Sequence, residues 1–147
     1  MKEHTQALKI LGGSKSNTFY GFRRTMGTTH TYFSSHMERP YTSEELISQC
    51  LKKVRTFVTD DEFNSVVITV PAKFLNPQNE ATMKAANLAG FNQVYLLKEP
   101  VAAALAYGLS SKFKDGYLLI FDFGSGTFDA ALLKSDEGIL SVKDTEG

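Results

Sequence analysis

The feature that most constrains the fold is a strand–helix–strand pattern between residues 65 and 100. The run "SVVITVP" (65–71) is short, β-branched and closed by a proline, which is typical of a strand buried on both faces. The segment "NPQNEATMKAANLAG" (76–90) has an asparagine cap, a proline at its first helical position and a glycine just past its end, so it predicts a helix. A second strand, "QVYLLKEP" (93–100), follows. Two strands joined in this way predict a parallel pair with a right-handed crossover.

Helices are also predicted on both sides of this unit. Thr42 and Glu45 have the spacing of a capping box, in which each side chain bonds the other residue's backbone N–H. The apolar residues that follow at helical spacing are Leu46, Ile47, Cys50, Leu51, Val54 and Val58. On the other side, Pro100 opens an alanine-rich helix that Gly108 ends. The pattern then changes to an antiparallel meander of strands, which indicates a boundary near residues 110–116.

Charge and cysteine content exclude several classes of protein. The 147 residues, the length of one ordinary domain, carry 16 basic and 16 acidic side chains. The chain thus lacks the excess of basic residues that proteins binding nucleic acids or membrane surfaces usually have. Cys50 is the only cysteine, which excludes an internal disulfide and favours a reducing compartment. No run approaches the ~20 apolar residues of a membrane span, and the polar start "MKEHTQALKI" differs from a secretory signal, so we expect a cytoplasmic protein.

A glycine-rich turn joins the first two strands of the meander in "YLLIFDFGSGTFDAALL" (117–133). The sequence lacks the V-A-I-K strand and H-R-D loop of a kinase, the third glycine of a Rossmann turn and the lysine of a Walker loop. The backbone N–H groups of such a turn can form a nest for phosphate oxygens. Thr127 adds a hydroxyl donor, and Asp122 could hold Mg²⁺ through water. The alternative is a plain β-hairpin whose glycines serve only the turn.

Two further carboxylates lie near the ends of predicted strands. Glu99 ends the second strand of the parallel pair, at the edge of an α/β sheet where ligands bind. Alternatively, it is a favourable charge at the N-terminus of the next helix. Asp129 lies two residues into the strand that leaves the glycine turn, and we interpret it as a solvent-facing or turn-bracing residue.

Four blocks, in this order, resemble the ATPase domain of the heat-shock protein 70 family: "VVITVPAKF", "ATMKAANLAGFN", "LLKEPVAAALAYGL" and "LLIFDFGSGTFDAALL". The stretch "SNTFYGFRRTMG" is also similar to the family's segment with a catalytic lysine. "YTSEELISQCLKKV" resembles the helix before the first block. The resemblance implies an α/β, actin-like (ribonuclease-H-like) ATPase fold in which two lobes close on Mg-ATP.

The resemblance also implies a role for each candidate residue. Asp122 would hold water around Mg²⁺, Glu99 would help to order the attacking water, and Thr127 would lie near the terminal phosphate. Arg23 falls where the family has its catalytic lysine; its guanidinium keeps the charge but not the compact geometry of an ammonium. The residues implied to bind the phosphates of ATP or ADP are Gly124, Ser125, Gly126 and Thr127.

The sequence departs from the family pattern at several points. Lys73 stands in place of the usual tyrosine, and Ser125 in place of a glycine. We find no counterpart of the family's first phosphate loop, and only about thirty residues follow the predicted lobe boundary. We therefore expect an incomplete fold: residues 1–15 unassigned, 16–112 a βαβ core from lobe one, and 113–147 the opening hairpin and third strand of lobe two.

Two hypotheses for function follow from the resemblance. The chain is a fragment of a chaperone ATPase that couples ATP hydrolysis to protein folding under stress, is poorly active alone, and has unfolded client proteins and co-chaperones as partners. Alternatively, it is a non-catalytic remnant that acts as a binding or assembly module, and an exposed sheet edge beside "SVVITVP" would let it self-associate. A sugar-kinase-like or acetate-kinase-like phosphotransferase of the same fold is the remaining alternative, although "KEPVAAALAYG" argues against it.

Overall fold

The computed structural model describes residues 18–59, 63–124 and 128–147. Their mixed α/β content confirms the predicted class. The described residues form two compact units: the first runs up to Ser65 and includes Asn76–Gln93, and the second joins Val66–Leu75 to Val94–Gly147. The segment predicted as 1–15 lies outside the described residues. The predicted division into 16–112 and 113–147 stays a prediction.

A hairpin leads into the long helix of the first unit. After a 3₁₀ turn, Phe22–Thr25, strands β1 (Thr31–Ser34) and β2 (Arg39–Thr42) pair antiparallel. Helix α1 (Ser43–Arg55) starts directly after β2.

The capping box at the start of α1 is confirmed. The Glu45 N–H donates to Thr42 Oγ1 at 3.3 Å, and the Thr42 N–H donates to Glu45 Oε2 at 2.8 Å. The apolar stripe is shorter than predicted, because Val54 is 56% exposed and Val58 lies beyond the end of the helix. The helix ends at Arg55, where the N–H of the next residue bonds back to carbonyls one turn earlier.

Helix α2 (Asn76–Leu88) completes the first unit at its predicted position. Its alanines, Ala81 and Ala85, are buried against Met26, with Ile47 of α1 packed beside them. Small side chains let the two helices approach closely. Just beyond α2, the Arg55 guanidinium donates to the Gly90 carbonyl at 2.8 Å, which ties the end of one helix to the end of the other.

Strands β3 (Ser65–Val70) and β4 (Gln93–Lys98) form the predicted pair. Their starts lie together, since the Gln93 N–H donates to the Asn64 carbonyl at 3.1 Å. Their ends also lie together, since Lys98 Nζ lies 3.3 Å from the Pro71 carbonyl. The strands therefore run parallel, as predicted.

The prediction that β3 is buried on both faces is wrong. Its side chains alternate between exposed and covered positions, and Val67 is 61% exposed. Tyr95 of β4 is also 60% exposed. A β-branched run shows that a strand forms, but it cannot show whether a second layer covers both faces.

The rest of the second unit is two short helices and a three-stranded meander. Their bounds are α3 (Glu99–Ala106), α4 (Leu109–Lys112), β5 (Gly116–Phe123), β6 (Phe128–Asp136) and β7 (Ile139–Glu146). The sheet order is β5–β6–β7 with antiparallel pairing throughout, which confirms the predicted meander. None of the helices in the described part of the chain has the length and apolar character that a bilayer crossing needs.

Candidate functional site

The register of the β5–β6 hairpin brings two aspartates together. Phe123 pairs with Phe128 across the glycine turn, and the next pair is Asp122 with Asp129. Paired residues of an antiparallel ladder point to the same face of the sheet, with Cβ atoms about 4.5–5.5 Å apart. The two carboxylates therefore lie side by side on one face of the hairpin.

These aspartates line a pocket in the second unit, and Glu99 lines the same pocket. The lining residues are Ala72, Lys73, Glu99, Pro100, Ala103, Ile120, Asp122, Asp129, Ala130, Ala131 and Thr145. They come from the loop after β3, the first turn of α3 and all three strands of the meander. The cavity has a volume of about 30 Å³, which is room for roughly two water molecules.

The start of α3 fixes the position of Glu99. β4 ends at Lys98, so Glu99 is the first residue of the helix rather than the last residue of the strand as predicted. Pro100 follows it within the first turn and is buried. Glu99 itself is half-buried, so its carboxylate is placed by the helix while it remains accessible from the pocket.

Lys98 anchors the loop that follows β3. Its ammonium donates to the carbonyls of Pro71 at 3.3 Å and Phe74 at 3.0 Å, and the Phe74 N–H closes a turn onto Pro71. The loop that carries Lys73 is therefore tied to the end of β4. Lys73 Nζ donates to the Gly147 carbonyl at 2.8 Å.

The electrostatics of the pocket are unusual for a purely structural feature. Among the described residues, neither Asp122 nor Asp129 is held by a hydrogen bond or an ion pair. Like charges placed directly opposite each other in a ladder are destabilising. Carboxylates arranged in this way in a pocket are candidates for binding a ligand.

The residues fit magnesium better than a fully protein-ligated metal. In the described ranges, no three His, Cys, Asp or Glu side chains are close enough to hold a metal ion by themselves. Mg²⁺ keeps several of its waters and is usually bound by one or two carboxylates plus phosphate oxygens. A pair of adjacent aspartates in a water-sized cavity matches that requirement.

The structure brings together only part of the predicted site. Asp122 and Glu99 share the pocket. Gly124 is exposed at the end of β5, and residues 125–127 of the predicted phosphate loop lie outside the described residues. Arg23 lies in the 3₁₀ turn of the first unit, not in the unit that contains the pocket. The assigned roles of these residues stay predictions.

Sequence reasoning missed two residues that line the pocket, Asp129 and Lys73. Asp129 is half-buried and lines the pocket, and the turn that we interpreted it as bracing, 125–127, lies outside the described residues. A signal for it was present, since a hairpin that pairs positions 123 and 128 must also pair 122 and 129 on one face. Lys73 had no such signal, because its place depends on the packing of a loop against a distant strand.

Comparison with known proteins gives the family. The model of the family described as Hsp70 protein matches residues 14–147. The chain is 36% identical over 137 residues to the "Chaperone protein DnaK" of Thermosipho africanus, an alignment that covers 91% of this chain and 23% of that protein. It is 44% identical over 114 residues to the "Heat shock 70 kDa protein 2" of Paracoccidioides lutzii, covering 75% of this chain and 17% of the relative.

A third relative, the "Heat shock 70 kDa protein" of Trichophyton rubrum, is 45% identical over 115 residues, with 75% of this chain and 17% of the relative covered. The alignments thus span about a fifth of the length of these relatives. Both the strand–helix–strand unit and the aspartate hairpin lie inside the family match. The chain therefore belongs to the Hsp70 family.

Proposed function

We propose that this chain supplies the metal- and water-binding wall of the Mg-ATP site of a chaperone ATPase with an actin-like fold. The observation that carries the proposal is the pocket in which Glu99 faces the paired Asp122 and Asp129. Family membership supports nucleotide binding, and the pocket supports a particular place for the cation.

The three carboxylates of the pocket have two different roles in this proposal. Asp122 and Asp129 would hold Mg²⁺ through its bound water molecules, and the positive charge of the ion would offset the negative charge of the phosphates. Glu99 accepts a hydrogen bond from a water molecule and orients it for in-line attack.

The groups proposed to bind phosphate are those that the family resemblance implies. The backbone amides of 124–127 and the Thr127 hydroxyl would donate to phosphate oxygens, as a glycine-rich turn allows. By resemblance to the family, Arg23 is proposed as a further positively charged residue for phosphate. A cavity of about 30 Å³ cannot enclose a nucleotide, so we propose that base and ribose bind outside it.

Partners and location follow from the same family. Relatives are named as chaperone and heat-shock proteins, so we propose unfolded client proteins and co-chaperones as partners in a stress response. A cytoplasmic location is proposed on the same basis.

Nucleotide binding tests the cation site. We expect isothermal titration of the 147-residue chain with ATP to show binding that depends on Mg²⁺. Asp122→Asn should weaken it by about tenfold or more, because loss of a charge-assisted hydrogen bond costs ~1.5–3 kcal/mol. Asp136→Asn is the matched control: it makes the same charge change on β6 at an exposed surface ion pair with Lys134, where pairs contribute little.

Equal binding by the two variants would contradict the proposed cation site.

A single-turnover assay then separates binding from chemistry. Glu99→Gln should keep Mg-ATP binding and lower the hydrolysis rate by about 100-fold or more, the usual contribution of a positioned acid–base group. An unchanged rate in Glu99→Gln would remove this residue from the mechanism.

A non-catalytic assembly module is the second candidate. The observation that favours it is the number of large apolar side chains exposed on β5, among them Phe123 at 82%. A chain that binds no Mg-nucleotide in the titration, yet associates through this surface, would support the module over the ATPase.

A further inference from the structure

A group of three hydroxyls fixes the 3₁₀ turn that carries Arg23. Thr25 is the last residue of that turn, and its Oγ1 lies 2.8 Å from the Tyr32 hydroxyl of β1 and 2.8 Å from the Ser43 hydroxyl at the start of α1. The same oxygen donates to the Phe22 carbonyl at 3.1 Å. One side-chain atom therefore joins the turn to both a strand and a helix.

Thr25 is the centre of this group because its hydroxyl uses its full hydrogen-bonding capacity. A hydroxyl has one proton to donate and two lone pairs that accept. Since the Thr25 proton goes to the Phe22 carbonyl, the Tyr32 and Ser43 hydroxyls both donate to Thr25. Ser43 is 1% exposed, so loss of the Thr25 hydroxyl would leave a buried donor without this acceptor, which is unfavourable.

The ring of Tyr32 is held in place by aromatic rings from three positions. Its centroid lies 4.7 Å from that of His30, 5.9 Å from that of Phe19 and 6.4 Å from that of Phe22. All three contacts are edge-to-face, an arrangement that adds stabilisation beyond the burial of apolar area. Packing of the ring therefore directs the Tyr32 hydroxyl to Thr25.

The two residues after Thr25 attach the turn to α2. Met26 is 2% exposed and packs with Ala85 of that helix. Gly27 has a φ of 70°, and a Cβ at this position would lie 2.7 Å from the Pro77 carbonyl oxygen, so the close approach requires a glycine. These three consecutive positions hold the turn against β1, α1 and α2 at the same time.

We propose that Thr25 is a positioning residue for phosphate binding, because its hydroxyl fixes the backbone of the turn from which the Arg23 side chain extends. This inference rests on the proposed function, in which Arg23 is a positively charged residue for phosphate. A guanidinium binds phosphate through a planar fork that has to be oriented, whereas an ammonium acts as a point charge. Arg23 therefore depends on the geometry of its turn, and Thr25 sets that geometry.

A double-mutant cycle on the 147-residue chain, measured by isothermal titration with Mg-ATP, tests the proposal. Arg23→Gln should raise the Kd by about tenfold or more, the effect of losing a charge-assisted contact. Thr25→Val removes the hydroxyl and should raise the Kd by about threefold or more. In the Arg23→Gln background the same change should have less than about a twofold effect, because Thr25 acts through that arginine. Thr25→Ser keeps the hydroxyl and should restore wild-type binding.

Thr56→Val is the matched control. Thr56 Oγ1 also donates to the carbonyl three residues earlier, that of Lys53, at 2.7 Å, but it does so at the exposed end of α1. The same substitution there should leave the Kd within about twofold of the wild type.

The outcomes separate this inference from the proposed function. An equal effect of Thr25→Val in both backgrounds, or failure of Thr25→Ser to restore binding, would overturn the inference and leave the proposed function standing. Wild-type binding by Arg23→Gln would remove Arg23 from the site, and the inference with it, while Asp122→Asn still judges the cation site. No Mg-ATP binding by the wild type would overturn both.

Amide hydrogen exchange gives a second measurement that needs no nucleotide. The Arg24 N–H donates to the Gly21 carbonyl at 2.9 Å within the turn. Tyr32→Phe keeps the ring contacts and removes one donor to Thr25, so it tests the hydroxyl group even if Thr25→Val folds poorly. It should speed exchange of the Arg24 amide by about threefold or more, whereas Thr56→Val should not change it. A wild-type exchange rate in Tyr32→Phe would overturn the proposal.

Discussion

The start of α1 and the tip of the β5–β6 hairpin both place carboxylates beside a chain reversal, but the two regions treat them in opposite ways. Glu45 accepts the Thr42 N–H at 2.8 Å and an N–H of the Arg39 guanidinium at 3.0 Å. Asp122 and Asp129 face each other without such partners among the described residues. The first carboxylate holds its own structure together, and the other two are held in place by the strands that carry them.

The difference separates a structural carboxylate from a candidate functional one. The Thr42 N–H, helped by Arg39 and opposed by partial burial, holds the pKa of Glu45 below its usual value. The ionised form therefore stabilises the fold. The paired aspartates do the reverse, since like charges directly opposite each other in a ladder lower the stability of the fold. In this chain, the carboxylate whose hydrogen bonds are made by its neighbours stabilises the fold, and the carboxylates without such partners in a pocket are the candidates for ligand binding.

The largest expected effect on the free energy of unfolding is at the helix cap. Thr42→Ala removes the acceptor for the Glu45 N–H, and we expect it to lower the free energy of unfolding by about 1 kcal/mol (range ~0.5–2). Urea denaturation at low protein concentration measures this change. Thr42→Ser retains the hydroxyl and should be close to the wild type. Equal losses for both variants would show that packing of the methyl group, rather than the cap, is responsible.

The aspartate pair should respond in the opposite direction. Asp122→Asn removes one of two facing charges, and we expect it to raise the free energy of unfolding by roughly 0.2–1 kcal/mol in the absence of Mg²⁺. The same variant should bind Mg-ATP less well, so stability and binding would change in opposite senses. Asp136→Asn should alter neither. If Asp122→Asn destabilises the chain as Thr42→Ala does, Asp122 is a structural residue and the comparison fails.

The smallest expected effect is the pH dependence contributed by Glu45. Because its pKa is lower in the folded chain than the usual 4.5, its contribution is fully present above that value and is lost as the pH falls through the folded-state pKa. Urea titrations between neutral and acidic pH should show this loss. Glu45→Gln can still form a capping box but does not titrate, so its acid-induced loss should be smaller. Identical pH profiles would contradict the assignment.

Local signals in the sequence predicted the elements well. The capping box, the proline at the first turn of α2 and Gly90, with its positive φ of 91°, each act within a few residues of chain. They therefore gave the first residues of α1, α2 and α3 within one residue. Burial was predicted less well, as Val67 and Val54 show, because exposure depends on which layers cover an element.

The candidate site was predicted less well than the helices and strands but better than burial. Asp122 and Glu99 were identified as single residues, from a glycine turn and a strand end. That they share a pocket with Asp129 depended on the register of β5 with β6 and on how α3 packs against the sheet. Lys73 lines the pocket because Lys98 holds its loop in place. That interaction spans 24 or more residues, and no local pattern encodes it.

The sequence by itself determined where helices and strands form and which family the chain resembles, since caps, turn residues and side-chain periodicity act over one or two turns of chain. Only the tertiary structure decided which carboxylates are paired, which are bonded and which strand residues are exposed. These properties arise from contacts between residues far apart in sequence, where packing and register, rather than local preference, set the free energy.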